Sequence, residues 1–365
     1  ENRMSVGKIK FSTKESLNYL LRLVKQSAPT SFQIWQPKMM AQLRTLLVPF
    51  AAGLLAASLT AAVLLLGDYV AAFAAVKESS FETSAYTSFA SLIGFMTVFR
   101  TGQAYVRFAE GTMLIHQILG DWHDATSTLV AFCRYSDADR ELIVGFQQKL
   151  VRLMSLLNAM ILGELEGDDS SEMAATRWEL IDVSGLDMRL LELLARSKSR
   201  PEIVFQWVQN EIVDNVKTGV LSIPPPLLTR AFQELASGMM KYHDAAKFAR
   251  VPFPLPYTVV VELLLAIYAV VTPIVVSSWA EQVGWGALFS FVLVFVVWSM
   301  HVLALELENP YGADANDLDM GEIQCDLNRH LVAALAHGHE KAELVVGADE
   351  AVHRVKAQYR RRVSA

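Results

Sequence analysis

Apolar positions are gathered into long runs rather than scattered. Leu46–Gly67 carries no charged residue over 22 positions, enough for a helix across a hydrocarbon core of ~30 Å. Tyr257–Ala280 and Gln282–Leu305 form two more runs, parted only by Glu281, with Gly284 and Gly286 close behind. They predict a tight helical hairpin across a membrane. Glu262 inside the first of the two is costly in lipid and is expected to face protein or water. Thr83–Phe99 is shorter, holds several hydroxyls and ends at Arg100. Taken alone it is an ambiguous buried helix, and its polar face could instead line a water-filled path. The pattern therefore predicts four spans in an all-α chain.

Between the two pairs of spans the period changes to that of amphipathic helices. Arg140–Leu162 is predicted to stop at Gly163, and Pro201–Lys217 reads as a further helix. Ser222–Pro226 breaks the pattern before another helix, Leu227–Arg250. Near the start, Leu17, Leu20, Leu21 and Val24 fall at helical spacing, a stripe for the membrane surface or for packing. The expected organisation is an amphipathic segment (1–45), a first pair of spans (46–106), a helical body (107–250), a second pair (251–305) and a terminal region (306–365).

Charge fixes an orientation. Residues 1–45 hold eight Lys/Arg, the link from Gly67 to Glu82 holds only Lys77, and the link between the last two runs holds none. The positive-inside rule then places both termini and the helical body on the cytoplasmic-equivalent (cytosolic or stromal) side. Composition agrees: 53% hydrophobic with 19% charged is too apolar for a soluble domain and too charged for spans alone. The net charge of −6 argues against a nucleic-acid partner. Cys133 and Cys325 lie far apart, without zinc or disulfide spacing. The opening ENRMSVGKIKF has no basic-then-apolar signal pattern. Its leading glutamate leads us to expect a trimmed chain, in which a targeting segment could already be missing.

No phosphate-binding loop, GxGxxG, nucleophile elbow or HExxH occurs, so the chain does not read as an enzyme. His337 and His339 in AHGHEK, and the Trp122–His123–Asp124 run, read as helix surface and packing. The stretch with chemistry of its own is Glu306–Asp319, ELENPYGADANDLD. Pro310 and Gly312 stop the last helix, leaving carbonyls beside Asp314, Asp317 and Asp319. Carbonyl and carboxylate oxygens suit a hard cation such as calcium, though an acidic turn can equally be a solvated cap.

Three ordered patterns carry a resemblance. Phe99-Arg100-Thr101, Tyr105, Arg107-Phe108 and Glu110-Gly111 stand at the end of the second run; VPFPLPY (Val251–Tyr257) precedes the third; Glu306–Asp319 closes the fourth. In this order they resemble the bestrophins, anion channels of animals, bacteria and plastids. Arg107-Phe108 is closer to the plant and algal plastid members than to the paired tryptophans of animal ones.

The resemblance implies a homopentamer in membrane lipid with one central pore, conducting chloride and other monovalent anions. Its neck would be lined by Ser91, Phe95 and Phe99, one helical stripe at i, i+4 spacing. Without the resemblance, Phe95 and Phe99 would read as core aromatics. A second constriction is expected at Pro225 or Pro226, counted from Gly219. A calcium clasp is implied at the Asp314 and Asp317 side chains with the Glu306 and Asn309 carbonyls. A chloroplast thylakoid location, a bicarbonate conduit in a photosynthetic membrane, and a non-conducting membrane scaffold remain further readings.

Overall fold

The computed structural model describes residues 45–67, 69–78, 82–167, 179–182, 185–312, 316–338 and 340–363. The amphipathic stripe of Leu17–Val24, Asp314 and His339 lie outside them. Among the described residues all regular structure is helical, and they divide into two units. The first holds residues up to Val106, Phe253–Glu308 and 316–317; the second holds Arg107–Pro252, Asn309–Gly312 and the chain from Leu318.

In the first unit, α1 (Leu47–Leu66) packs against a hairpin; the short α2 (Ala71–Glu78) follows it. The hairpin, met below as α8 (Leu255–Trp279) and α9 (Val283–Glu306), turns over 280–282 as the sequence predicts. Small residues set how closely these helices approach, as expected where dispersion rather than water exclusion drives packing. A Cβ on Gly53 would come within 3.0 Å of the Phe291 ring, and one on Gly286 within 3.0 Å of Leu64. The hydroxyls of Thr60 and Ser290 meet at 2.6 Å between the same helices. Outward, Leu54, Leu55, Leu263, Val270, Phe289 and Val296 are exposed, an apolar surface that suits lipid and not water. Three described helical stretches are long and apolar enough to cross a membrane: Leu47–Leu66, a window within Pro225–Trp279, and Val283–Glu306.

The Thr83 run is not among them, and it does not end at Arg100. It continues without a break as α3, Thr83–Phe132, 50 residues long. Its hydroxyls depress its hydropathy, yet they cost the helix little. Thr87, Ser88 and Thr97 each donate to the carbonyl four residues earlier. Arg100 is no stop because its side chain is buried among protein groups rather than marking a water boundary.

The second unit is built on α4 (Arg140–Glu166), whose residues from Leu153 to Gly163 are all buried. The helix ends not at Gly163 but at Gly167, where φ is +80°. A glycine stops a helix by taking this left-handed conformation; Gly163 keeps helical geometry inside the core. Around α4 stand the second part of α3, the short α5 (Met188–Ala195), α6 (Arg200–Lys217), α7 (Pro225–Arg250) and α10 (Met320–His337), with α11 (Ala348–Val363) after them. Ser155 and Asn158 on α4 bond Asn328 and Gln324 on α10, at 2.7 Å each. Asp121 on α3 pairs with Lys241 on α7 at 2.7 Å. Trp122, fully buried, lies flat against Gly238, where a Cβ would fall 2.6 Å from the ring.

Candidate functional site

Two faces of the first part of α3 are treated oppositely. Ile93, Thr97, Arg100 and Ala104, spaced i, i+4, i+7 and i+11, are buried. Ser91, Phe95 and Phe99 lie on the other side and are exposed, the phenylalanines by 69% and 46%. The two rings stack with centroids 6.5 Å apart, and Phe99 also meets Tyr257 at 6.0 Å. Among the described residues, nothing therefore covers this stripe as a core would.

A buried polar network holds the helix in that rotation. Arg100 Nη1 lies 2.9 Å from His301 Nδ1 on α9. Arginine has donors only, so Nδ1 accepts and the imidazole proton sits on Nε2, which faces Glu262 Oε1 on α8 at 3.9 Å. Glu262 is thus turned toward a protein group, with about half of its side chain still exposed. The second guanidinium nitrogen, Nη2, is 3.7 Å from Glu308 Oε2, and Glu308 Oε1 accepts the Phe253 N–H at 2.6 Å. The guanidinium also lies over the Phe253 ring, 6.0 Å from its centroid. One turn away, the Tyr257 hydroxyl donates to the Met96 carbonyl at 3.0 Å. Rotating α3 to bury its phenylalanines would pull the buried Arg100 out of this network and leave the half-buried Glu308 carboxylate and the buried His301 imidazole without their cation, a change costing up to roughly 3–5 kcal/mol.

Three further motif residues, Arg107, Gly111 and Tyr311, make contacts within the second unit. Arg107 Nη2 donates to the carbonyls of Phe248 and Val251 at 3.1 and 2.8 Å, capping the end of α7. Gly111 is packed so closely against Pro310 that a Cβ would sit 2.6 Å from its ring, and the Tyr311 hydroxyl donates to the Gly111 carbonyl at 3.0 Å. Burial pushes the Tyr311 hydroxyl well above the usual tyrosine range, so it stays a donor. Two patterns 200 residues apart in sequence are one contact.

The other candidates are placed as follows. Pro225 and Pro226 are exposed at the first turn of α7, where a missing N–H costs nothing. Gly219 has φ +83° after α6. Asp317 is buried, the Glu306 carbonyl accepts from the Asn316 amide at 3.4 Å, and Asn309 is exposed with its Oδ1 accepting the Tyr311 N–H at 3.3 Å. Asp314 is outside the described residues, and among these no three His, Cys, Asp or Glu stand together to hold a metal. His337 pairs with Glu340 at the end of α10. Sequence reasoning expected Glu262 to face protein or water but missed the Arg100 network; the overlooked signal was His301, a second titratable residue inside an apolar run.

Fold and site together define an integral membrane protein, helical in its described regular structure, in which the buried Arg100 orients one helix face. The family described as Bacterial/Fungal Bestrophin protein matches residues 26–333, and the chain belongs to the bestrophin family. It is similar to a voltage-dependent anion channel-forming protein of Nostoc sp., 24% identical over 66% of this chain and 73% of that one. A protein of the same description from Synechocystis sp. is 26% identical over 64% and 71%. In fold it is similar to a bacterial bestrophin homologue from Klebsiella pneumoniae: TM-score 0.64, 16% identity, 78% of this chain and 97% of that one.

Proposed function

We propose that this chain assembles as a homopentameric channel for chloride and other monovalent anions, with the first part of α3 as a fourth span lining the pore. The observation that carries the reading is the exposed stripe of Ser91, Phe95 and Phe99 on a helix whose opposite face is anchored by Arg100. The named activity of the Nostoc and Synechocystis relatives supports it.

Five copies of Phe95 and Phe99 around a narrow axis form a dry ring that an ion crosses only when the helices spread. The edge of an aromatic ring carries partial positive charge, so edge-on phenylalanines favour an anion over a cation. Anions that shed water easily pass best. Ser91 leaves one end of the neck wet. Pro225 and Pro226 form the second constriction. Calcium, where bound, adds positive charge held by the Asp314 and Asp317 carboxylates and the Glu306 and Asn309 carbonyls, tying the turn after α9. The Arg107-Phe108 pattern supports a thylakoid setting.

The test is planar-bilayer recording of the purified oligomer under chloride, nitrate and bicarbonate gradients, with calcium or chelator. Reversal potentials are expected to follow the anion gradient, with nitrate passing more readily than chloride. Potentials that follow potassium, or a stable monomer by mass measurement in mild detergent, would overturn the proposal.

A further inference from the structure

The second unit contains a histidine pair that the channel reading does not use. His123 on α3 and His330 on α10, 207 positions apart in sequence, place their imidazole centroids 5.4 Å apart with ring planes inclined at 63°. Both side chains are exposed, while the residues beside them are among the most buried in the chain. Trp122 precedes His123; Leu327 and Leu331 flank His330. The backbones are therefore fixed by the core while both rings stay free to turn. At the C-cap of α10, a Cβ on Gly338 would meet Val130 of α3 at 2.8 Å, so the separation of the two helices is set by packing and not by the histidines.

We propose that His123 and His330 form a two-imidazole site for a divalent transition metal, zinc foremost. With each nitrogen about 2.0–2.1 Å from a tetrahedral zinc, two coordinated imidazoles have centroids roughly 5 Å apart, so the observed spacing needs only side-chain rotation. Imidazole is a donor suited to zinc, copper and nickel and not to calcium or magnesium. Among the described residues no third His, Cys, Asp or Glu completes a cluster. Asp326, one turn before His330, is engaged by Arg329. Water fills the remaining positions, which makes the site open and exchangeable. Occupied, it cross-links α3 to α10.

The test uses untagged, purified full-length protein, with zinc and nickel titrated in thermal unfolding and copper followed by electron paramagnetic resonance. Zinc is expected to raise the midpoint, and His123→Gln or His330→Gln alone is expected to abolish the rise. His116→Gln and His337→Gln, on the same two helices, leave it intact. The copper spectrum is expected to show two nitrogen donors in the parent protein and one in each of the first two variants. A zinc-dependent rise that survives in the His123→Gln/His330→Gln double variant overturns the proposal. So does a parent protein that neither shifts with any of the metals nor binds zinc by calorimetry.

Discussion

Truncating Phe95 and Phe99 separates a pore lining from a core more sharply than any other perturbation of this chain. A fully buried phenylalanine cut to alanine costs roughly 3–5 kcal/mol, and a buried isoleucine on the same helix roughly 2–5. Phe95 is 69% exposed and Phe99 46%, whereas Ile93, on the opposite face of α3, is 1% exposed. What is lost in an apolar setting is dispersion contact, so scaling by the covered share leaves about 1–1.5 kcal/mol for Phe95→Ala and about 1.5–2.5 kcal/mol for Phe99→Ala. Ile93→Ala should cost the full amount. The order of thermal midpoints in mild detergent is therefore expected to be parent, Phe95→Ala, Phe99→Ala, Ile93→Ala. Single-channel current should respond in the opposite sense. Phe95→Ala and Phe99→Ala remove the dry ring and leak at closed voltages, Ser91→Phe tightens the neck without unfolding, and Ile93→Ala changes stability alone. If Phe95→Ala destabilises the oligomer as much as Ile93→Ala does and the surviving channels conduct normally, the stripe is a packed interface and the pore lies elsewhere.

Two further outcomes follow from the second unit. Gly238→Ala forces a methyl into the Trp122 ring, an overpacking cost of about 1–3 kcal/mol against a helix-propensity gain of about 1. Gly120→Ala on α3 meets nothing within 4 Å and keeps the gain. The two midpoints should move in opposite directions, and a rise in both would refute the packing described for Trp122. Burial raises the Cys133 thiol to about 11, and its Sγ donates to the Leu129 carbonyl at 3.3 Å. Only about one molecule in a thousand is then thiolate at pH 8. Cys133 should resist iodoacetamide until the protein unfolds, while Cys325, which is partly exposed, reacts first; equal labelling of the two would contradict this.

Element type was legible in the amino-acid order wherever the signal is local. A run such as Leu46–Gly67 has no other stable conformation in a hydrocarbon layer, because every backbone group must be satisfied within the segment. The 280–282 turn, the break within Ser222–Pro226 (the next helix starting two residues earlier than expected, at Pro225) and the amphipathic helices of the body follow from the same kind of near-neighbour rule. Which glycine ends α4 did not: Gly163 and Gly167 read alike in sequence, and only the core that claims Gly163 decides between them. The continuation of α3 through Arg100 was hidden for a related reason. A charged residue after an apolar run marks a water boundary unless a distant partner receives it, and His301 and Glu308 lie about 200 positions away.

The motifs divide in the same way. The order of Phe99-Arg100, Arg107-Phe108, Gly111, VPFPLPY and Glu306–Asp319 was enough to place the chain beside the bestrophins. What each residue is for emerged only with the tertiary contacts. Gly111 is glycine because Pro310 and Tyr311 occupy the space of its side chain. Arg107 closes the end of α7, and Arg100 sets the rotation of α3. The i, i+4 spacing of Ser91, Phe95 and Phe99 settled that they share a face. Whether that face is buried or bare could not be read from it, since an aromatic stripe has the same period either way; it depends on where the opposite face finds its partners, and those are supplied by α8 and α9, more than 150 residues downstream.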